Sequence, residues 1–447
     1  MKIQLTLLAA VAALGLVAQQ DLTTPLLHGS WQATFSNPAL LHNLEGNLTI
    51  GLPGIYNDLR TENVTYGDLL VEEGGQTFLD PSQAIAGLEE RNELRDQFDF
   101  ETVGLAIKGD RFAFSFGHRI RYDAGINYPK TLAQVIWEGN AQFIGQTVDI
   151  RPDLRIQGYH ELGLGVAYQL TDNLSIGARV KYLSGINDLS TQEGGRLELT
   201  TDDVAYALEL DQDLTINSSG SLDYQDLRDF DLNAEFANFT LDQFLGGNSG
   251  FAFDLGAQLD LGNIRIQASA QDLGGGIDWS ENVSNFTLSG VEAFTGLDVL
   301  DSILDDEVEL GGIVDSLEEQ FEPQESNLGY RTELAGRYLI GGELDVNEKL
   351  TLGALVYFQE GLTETESAAA LSARYRLSNV FQVGAVYAYR AGEFTNLGVN
   401  ATLSLGPARL LIATDNLFTA IDPKNSNQAN VRLGLSLSFL KDRDQVE

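Results

Sequence analysis

Apolar and polar residues alternate strictly over residues 430–439, close to the end of the 447-residue sequence. A repeat of two residues is typical of a β-strand, because successive side chains of a strand point to opposite faces. One face of this stretch therefore carries only large apolar side chains, and a face of this kind needs a second protein layer or lipid to cover it. The apolar face consists of Val431, Leu433, Leu435, Leu437 and Phe439.

The same alternation recurs along most of the chain and predicts about fourteen strands in total. Most are about 10 residues long or longer, which is the length that a tilted membrane-spanning strand needs. The strands predicted before the last one cover residues 46–56, 98–109, 111–125, 157–170, 174–185, 251–261, 264–273, 330–345, 350–359, 368–377, 380–389, 396–405 and 408–417.

Short turns and long loops alternate between these strands. Short turns such as Gly262-Asn263 have the residues of hairpin connections. Short turns at one end, long loops at the other and an even strand number are typical of bacterial outer-membrane barrels. A strand-like stretch at 196–216 is interpreted as a hairpin inside a long loop, and its entry into the wall would raise the count to about sixteen. The long polar loops cover residues 57–97, 126–156, 186–250 and 274–329.

A soluble β-sandwich also shows alternating strands, so the apolar faces allow two interpretations. Strand length favours lipid, and so does the aromatic residue that ends the last strand. Aromatic side chains also cluster at strand ends, as they do at membrane interfaces. We therefore predict an all-β fold, a transmembrane antiparallel β-barrel. The aromatic residues at strand ends include Tyr168, Tyr182, Tyr387, Tyr389 and Phe418.

The first residues have the pattern of a Sec signal peptide, with Lys2, an apolar run over 3–17 and Ala18 at the expected cleavage site. The sequence thus predicts export to the outer membrane of a Gram-negative bacterium. Residues 19–45 are irregular and apolar, and they are interpreted as a short plug or tether packed inside the barrel. The predicted organisation is a signal peptide at 1–18, a plug at 19–45 with Trp31, Phe35, Asn37 and Pro38, a barrel at 46–440 and an overhang at 441–447.

Composition excludes several classes of function. The formal net charge of −38 excludes nucleic acid as a partner, because phosphates need basic residues. The chain has no cysteine, and its four histidines lack ligand spacing, so neither a metal nor a cofactor is expected. His160-Glu161 beside Ser175 or Ser184 lacks the sequence context of a hydrolase, so no enzyme is predicted.

An acidic run at 297–322 carries leucines at helical spacing, and it is interpreted as an amphipathic helix over the barrel mouth. The run lacks the ordered acidic loop that binds calcium.

The faces opposite the apolar rows carry charged side chains, which must be paired or hydrated inside a barrel. They predict either a ladder of arginine–carboxylate pairs that stiffens the wall and pins the plug, or an anion-preferring constriction at Arg265, Arg374 and Arg409, which lie near the short turns. Such a lumen suits a hydrophobic cargo poorly, unless Leu26, Leu27, Trp31 and Phe35 form an apolar pocket between plug and loops. The basic candidates are Arg179, Arg265, Arg337, Arg374, Arg409 and Arg432 with Lys108 and Lys181, and the acidic ones are Glu161, Asp254, Asp260, Glu333 and Asp415.

Three short motifs point to a family: Asn37-Pro38-Ala39, the strand end 271–274 with Trp279 behind it, and the strand end 414–418. They resemble motifs of the fatty-acid-transporter-like (FadL/PorV-like) superfamily of outer-membrane barrels, and within it an uncharacterised DUF-type branch. The resemblance implies a barrel of about fourteen strands with its N-terminal segment in the lumen. For function it implies a passive conduit for small hydrophobic or amphiphilic molecules, or else a PorV-like shuttle or scaffold for secreted or surface proteins. The expected partners are outer-membrane lipid and either a small cargo or a secreted protein.

Overall fold

A computed structural model describes residues 22–73, 75–204, 207–220, 222–224, 230–232, 246–294, 324–360, 365–390 and 393–439. The predicted signal peptide, the acidic run at 297–322 and the overhang at 441–447 lie outside the described residues. In the part of the chain that is described, no helix is both long enough and apolar enough to cross a membrane.

One sheet contains twenty strands, of which fourteen form a closed antiparallel wall. Closure occurs where the last strand pairs with the first over the register Leu48↔Phe439 to Arg60↔Gln428. The predicted fold and the count of about fourteen strands are confirmed. The wall strands are β1 Leu48–Thr61, β2 Arg91–Lys108, β3 Phe112–Pro129, β4 Asp153–Thr171, β5 Leu174–Thr191, β6 Ser249–Asp260, β7 Ile264–Trp279, β8 Arg337–Asp345, β9 Leu350–Glu360, β10 Thr365–Arg376, β11 Phe381–Arg390, β12 Glu393–Leu405, β13 Ala408–Thr414 and β14 Gln428–Phe439.

The outer face of the wall is apolar. Phe114, Leu164, Ile340 and Leu371 each leave more than half of their surface exposed, whereas the inward neighbour Leu339 is 1% exposed. Soluble proteins rarely expose large contiguous apolar patches, and here the exposed apolar rows recur on strand after strand of the wall. The wall therefore spans a membrane, and the outer membrane is where such barrels occur.

The predicted strand ends were wrong at several places. β1 and β2 run further into the first long loop than predicted, because buried and more exposed residues continue to alternate along both strands beyond the predicted ends. The strand predicted at 330–345 is broken into Tyr330–Glu333 and β8, opposite a kink in β7 where Asp272 and Gly274 have φ of 56° and 59°. The strand predicted at 408–417 ends at Thr414, because the Asn416 side chain accepts from the Phe418 amide at 3.0 Å and starts a helix.

The stretch at 196–216 lies outside the wall, as predicted. Its two strands do not form an isolated hairpin, because they pair with segments of other loops. These strands extend the sheet beyond the extracellular end of β5. The added strands of this sheet are Thr147–Asp149, Arg196–Thr201, Leu208–Gly220, Ser284–Phe294, Gln324–Ser326 and Tyr330–Glu333.

The remaining elements are short. Two hairpins pair Leu70–Glu73 with Gln76–Leu79 and Leu222–Tyr224 with Phe230–Leu232. The helices of the loops are Ser82–Gly87, Lys130–Trp137 and Leu417–Ile421, with 3-10 turns at Tyr66–Leu69, Asn140–Phe143 and Pro423–Asn425.

Candidate functional site

The N-terminal segment, here called the plug (residues 22–45), lies inside the barrel. It consists of three short helical turns, Thr24–Leu26, Ala33–Ser36 and Pro38–Asn43. Asn37 separates the last two turns, and its side-chain oxygen accepts from the Ala39 amide at 3.0 Å. Most plug side chains are buried against the wall, so the segment occupies the lumen rather than lying across its mouth.

Pairs of glycines in the wall provide the room for the plug. Gly51 of β1 and Gly104 of β2 are cross-strand partners, and the indole of Trp31 lies directly on them. A Cβ at Gly51 would come within 2.4 Å of this ring. Two side chains of ordinary size in these places would expel the tryptophan.

A second pair, Gly177 of β5 and Gly256 of β6, supports the Asn37-Pro38-Ala39 turn. A Cβ at Gly177 would lie 2.4 Å from the Ala39 backbone nitrogen. The Asn37 amide group donates to the Ala257 carbonyl and to Gln267 Oε1, both at 3.2 Å. The turn is thus fixed by shape and by hydrogen bonds to the neighbouring strands.

Aromatic rings anchor the middle of the plug. Trp31 and Phe35 meet edge to face with their centroids 5.3 Å apart. The Arg119 guanidinium lies over the Phe35 ring at 4.4 Å, within the range of a cation–π interaction. Both aromatic residues therefore contact the wall, and Phe35 also borders a mostly polar lumen cavity of about 50 Å³. The apolar pocket between plug and loops stays a prediction.

Basic and amide side chains of the wall donate to the main-chain carbonyls of the plug. Arg179 donates to the Thr34 carbonyl at 2.9 Å and Arg374 to the Leu26 carbonyl at 2.6 Å. These are charge-assisted bonds, which are stronger than neutral ones. Further donors are Gln267 to Pro25 at 2.7 Å, Gln271 to Ser36 at 2.8 Å, Lys108 to His42 at 3.4 Å, and Arg409 to Gly29.

Asp415, just after β13, binds the first residues of the plug. Its carboxylate accepts from the Leu22 amide at 3.3 Å and from the Thr23 hydroxyl. The side chain of Asn430 on β14 donates to the same carboxylate at 3.0 Å. The predicted lumen residue Asp415 is therefore a plug contact.

A buried charge network, here defined as Asp99, Arg119, Arg121, Glu161, Arg179, Lys181, Asp254, Asp272 and Arg337, follows the inner wall from β2 to β8. Lys181 is fully buried, and its Nζ lies 2.6 Å from both Asp254 Oδ1 and Asp272 Oδ1. Arg119 contacts Glu161 at 2.6 Å. Arg121 contacts Asp99 at 2.9 Å, and Arg337 Nε donates to Asp272 at 3.0 Å.

The predicted arginines near the short turns all have acidic partners. Arg265 contacts Glu343 at 3.3 Å and Asp345 at 2.5 Å, and Arg374 contacts Glu343 at 3.1 Å. Arg409 pairs with Glu45 of the plug. Away from this cluster, Arg432 pairs with Glu101 at 3.0 Å.

Two predicted acids take no part in these networks. Asp260 borders a polar cavity of about 320 Å³ at the periplasmic mouth. Glu333 is exposed on the extracellular side, where it pairs with Arg331.

One sector of the lumen is apolar, which the sequence did not predict. Leu22 and Leu26 of the plug pack there against inward side chains of β8 to β11. Small residues leave space for the two leucines, since a Cβ added at Gly353 would lie 3.1 Å from Leu26 Cδ2. The wall residues of this apolar sector are Leu339, Leu355, Tyr357, Ala368, Ala370, Val386 and Ala388.

The hydrolase constellation considered from sequence does not form. His160 lies on the outer face, where its Nδ1 is 3.2 Å from His118 Nε2. The adjacent Glu161 points into the lumen to Arg119, because successive residues of a strand face opposite sides. The histidine and the carboxylate therefore lie on opposite sides of the wall.

The model of a family of unknown function, DUF5723, matches residues 38–415. Among curated proteins, no sequence matches the chain. Similar solved structures include the TodX deltaS2S3 mutant monoaromatic hydrocarbon channel, with 12% identity, 92% of this chain and 95% of that chain covered, and a TM-score of 0.48. A Pseudomonas aeruginosa FadL homologue has 11% identity, 95% and 96% coverage and a TM-score of 0.44. The Ralstonia pickettii toluene transporter TbuX has 12% identity, 95% and 99% coverage and a TM-score of 0.45.

Proposed function

The chain belongs to the DUF5723 family of unknown function, and we propose that it is an outer-membrane conduit for small amphiphilic molecules that its own plug holds closed. The observation that carries this proposal is the two-sided lumen. Its apolar sector over β8 to β11 faces a charged wall over β2 to β7, and the plug occupies the space between them. A molecule with one apolar and one polar side is complementary to such a lumen.

Two leucines of the plug occupy the place that the apolar part of a cargo would take. Leu22 and Leu26 are 0% and 4% exposed, and they cover the apolar sector completely enough to keep water from it. If the plug shifts, the apolar sector is exposed to water, which costs free energy. An apolar ligand that covers the same surface would offset this cost. An amphiphile thus competes with the plug for one site.

The plug closes the lumen, and the bonds that hold it are reversible. The lumen cavity beside the plug turns, bordered by Phe35 and Tyr357, measures about 50 Å³, which is too small for a cargo molecule. The plug is held by side chains that donate to its carbonyls, and each such bond contributes about 1.5–3 kcal/mol where the donor is charged. Losing two of them is expected to raise the open population appreciably.

Replacing Arg374 and Arg409 together with glutamine is expected to increase passage several-fold, because both guanidiniums hold plug carbonyls. The measurement is the swelling rate of proteoliposomes in arbutin, a neutral glycoside with an aromatic ring, compared with stachyose. Arg331→Gln is a matched control, since this arginine forms exposed ion pairs on the extracellular side. Faster swelling in arbutin for the double variant alone supports the proposal. Equal rates for wild type, double variant and a variant that lacks residues 22–44 would instead favour the alternative role as a scaffold for secreted or surface proteins.

Ion selectivity is expected to change when Arg265, Arg374 and Arg409 are all replaced with glutamine. In the wild type these cations face Glu45, Glu343 and Asp345, so their loss leaves unbalanced carboxylates near the periplasmic exit. Reversal potentials across planar bilayers in a salt gradient should shift towards cation preference. Reversal potentials equal to those of the wild type would reject a constriction at these arginines.

A further inference from the structure

The lumen contains a small polar pocket on the extracellular side of the plug, next to the charge network. Its volume is about 20 Å³, which matches one or two water molecules or a single ligand group. Arg155, Gln157 and Tyr159 of β4 line one side, and Arg121 and Arg337 line the other. A cavity of about 50 Å³ beside the plug shares Arg337, Gln97 and Gln359 with this pocket, so a bound molecule can extend from one into the other.

Arg155 differs from the other arginines of this pocket because its charge is not engaged. Arg121 and Arg337 both contact the carboxylate of Asp272. Among the described residues, the Arg155 side chain has no ion pair within 4 Å and no hydrogen bond, and only its backbone is paired, in the strand ladder. The nearest acids that sense its charge, Asp123 and Asp188, have other partners. The Asp123 carboxylate accepts from Arg95 at 3.0 Å, and the Asp188 carboxylate accepts from the hydroxyls of Ser190 and Tyr330 at 2.7 and 2.8 Å.

The Tyr159 hydroxyl is a second unused group. Tyr159 is 3% exposed, and no hydrogen bond of its hydroxyl is found among the described residues. A buried hydroxyl without a partner is costly, and one that borders a cavity is ready for a ligand. Gln157 uses its amide nitrogen on Thr332, which leaves its carbonyl oxygen as an acceptor at the same pocket.

We propose that Arg155 and Tyr159 form a subsite for the carboxylate of a small organic anion that also carries hydroxyl groups. The planar guanidinium matches the two oxygens of a carboxylate, and the tyrosine hydroxyl adds a second donor. The free carbonyl of Gln157 then accepts from a ligand hydroxyl. This subsite rests on the proposed conduit, since it names the polar end of the cargo that enters from the extracellular side.

The size of the pocket favours a carboxylate over a phosphate. A tetrahedral phosphate with three or four oxygens is larger than a planar carboxylate, and it brings a second negative charge close to Asp272 and Asp123. Among the described residues that line this pocket, Arg155 is the one cation without an ion pair, and the carboxylates of Asp123, Asp272 and Glu333 also border it. A singly charged group is therefore the better match.

The test compares gluconate with glucose and inorganic phosphate on the purified full-length barrel in detergent, by saturation-transfer NMR and isothermal titration. Gluconate and glucose share their hydroxyls but only gluconate has the carboxylate. Gluconate is expected to bind at least about tenfold more tightly than glucose or phosphate. Arg155→Gln is expected to abolish this preference, Arg155→Lys to keep part of it, and Tyr159→Phe to weaken gluconate binding a few-fold. Arg196→Gln, at an exposed ion pair outside the lumen, is the matched control and should bind as the wild type does.

Equal binding of gluconate and glucose, no gluconate binding, tighter binding of phosphate, or unchanged binding by Arg155→Gln and Tyr159→Phe would overturn the subsite. Heat-modified migration in gels checks that each variant is folded, and Tyr159→Phe removes only one oxygen. Binding is measured on the closed protein. If gluconate binds while neither the Arg374→Gln/Arg409→Gln variant nor the variant that lacks residues 22–44 passes arbutin, the subsite stands and the conduit does not. Passage without binding would leave the conduit and remove the subsite.

Discussion

Replacing Gly177 with alanine is expected to dislodge the plug and raise the conductance of the barrel strongly. The new Cβ would lie 2.4 Å from the Ala39 nitrogen and 2.5 Å from the Pro38 carbonyl carbon, and neither backbone atom can rotate away as a side chain could. Overpacking of this kind costs about 1–3 kcal/mol, which raises the ratio of displaced to seated plug by roughly 5- to 150-fold. The wall itself should tolerate the change, because alanine disfavours a strand no more than glycine does.

Gly117→Ala is the matched control for this prediction. Gly117 also faces the lumen beside the plug, but a Cβ there would meet Phe35 at 3.7 Å, an ordinary contact distance. Single-channel recordings in planar bilayers should show frequent openings for Gly177→Ala and rare openings for the control and the wild type. The seating of the plug on the Gly177–Gly256 pair would be disproved by identical recordings from both variants, provided that both fold.

How much the sequence could predict differs between the two faces of the wall. The outward rows such as Phe112, Phe114 and Phe116 follow from period two alone, because every one of them is apolar and meets lipid. The strand count and the place of the 196–216 stretch followed from this pattern and are confirmed. The membership of a family of unknown function, inferred from the Asn37-Pro38-Ala39 turn and two strand ends, is confirmed as well.

The inward face could be predicted only in outline. The sequence located Arg179 on a lumen face, but its hydrogen bond to the Thr34 carbonyl depends on where the plug lies. The glycine pairs that make room for the plug could not be predicted for a similar reason, since Gly177 and Gly256 become neighbours only through the register of β5 and β6. A lumen-facing glycine opposite another glycine is the signal that could have found them, once strands had been paired.

Two further features depended on contacts distant in sequence. Arg119 and Arg121 alternate with outward apolar residues of β3, as lumen residues should, and they were overlooked as members of the charge network. The alternation did not predict the apolar sector, because the inward faces of the strands are polar overall and the inward residues Leu339 and Leu355 are exceptions to that pattern. The packing of Leu26 against them brings together residues more than 300 positions apart.

Replacing Lys181 with methionine is expected to destabilise the barrel by about 3–5 kcal/mol, because it removes one partner from a buried ion cluster. Methionine fills a similar volume, so the effect comes from charge. Lys181 is fully buried, and Asp254 depends on it: the other nearby cation, Arg179, stands 3.5 Å away, and Asp254 Oδ2 has no hydrogen-bond partner among the described residues. Asp272 is less affected, since Arg337 and Arg121 remain beside it.

Urea unfolding of the detergent-solubilised barrel, followed by heat-modified migration and by circular dichroism, measures this loss. Arg196→Met is the control, since the Arg196–Asp211 pair is half exposed and its loss should cost below about 1 kcal/mol. Adding Asp254→Asn to Lys181→Met removes the stranded charge, so the double variant is expected to be more stable than Lys181→Met alone. The loss of stability in the double variant would then be smaller than the sum of the two single losses, which indicates a direct interaction between Lys181 and Asp254. Equal unfolding midpoints for Lys181→Met and the wild type would mean that water screens these carboxylates, and a wall stiffened by buried ion pairs would then have to be abandoned.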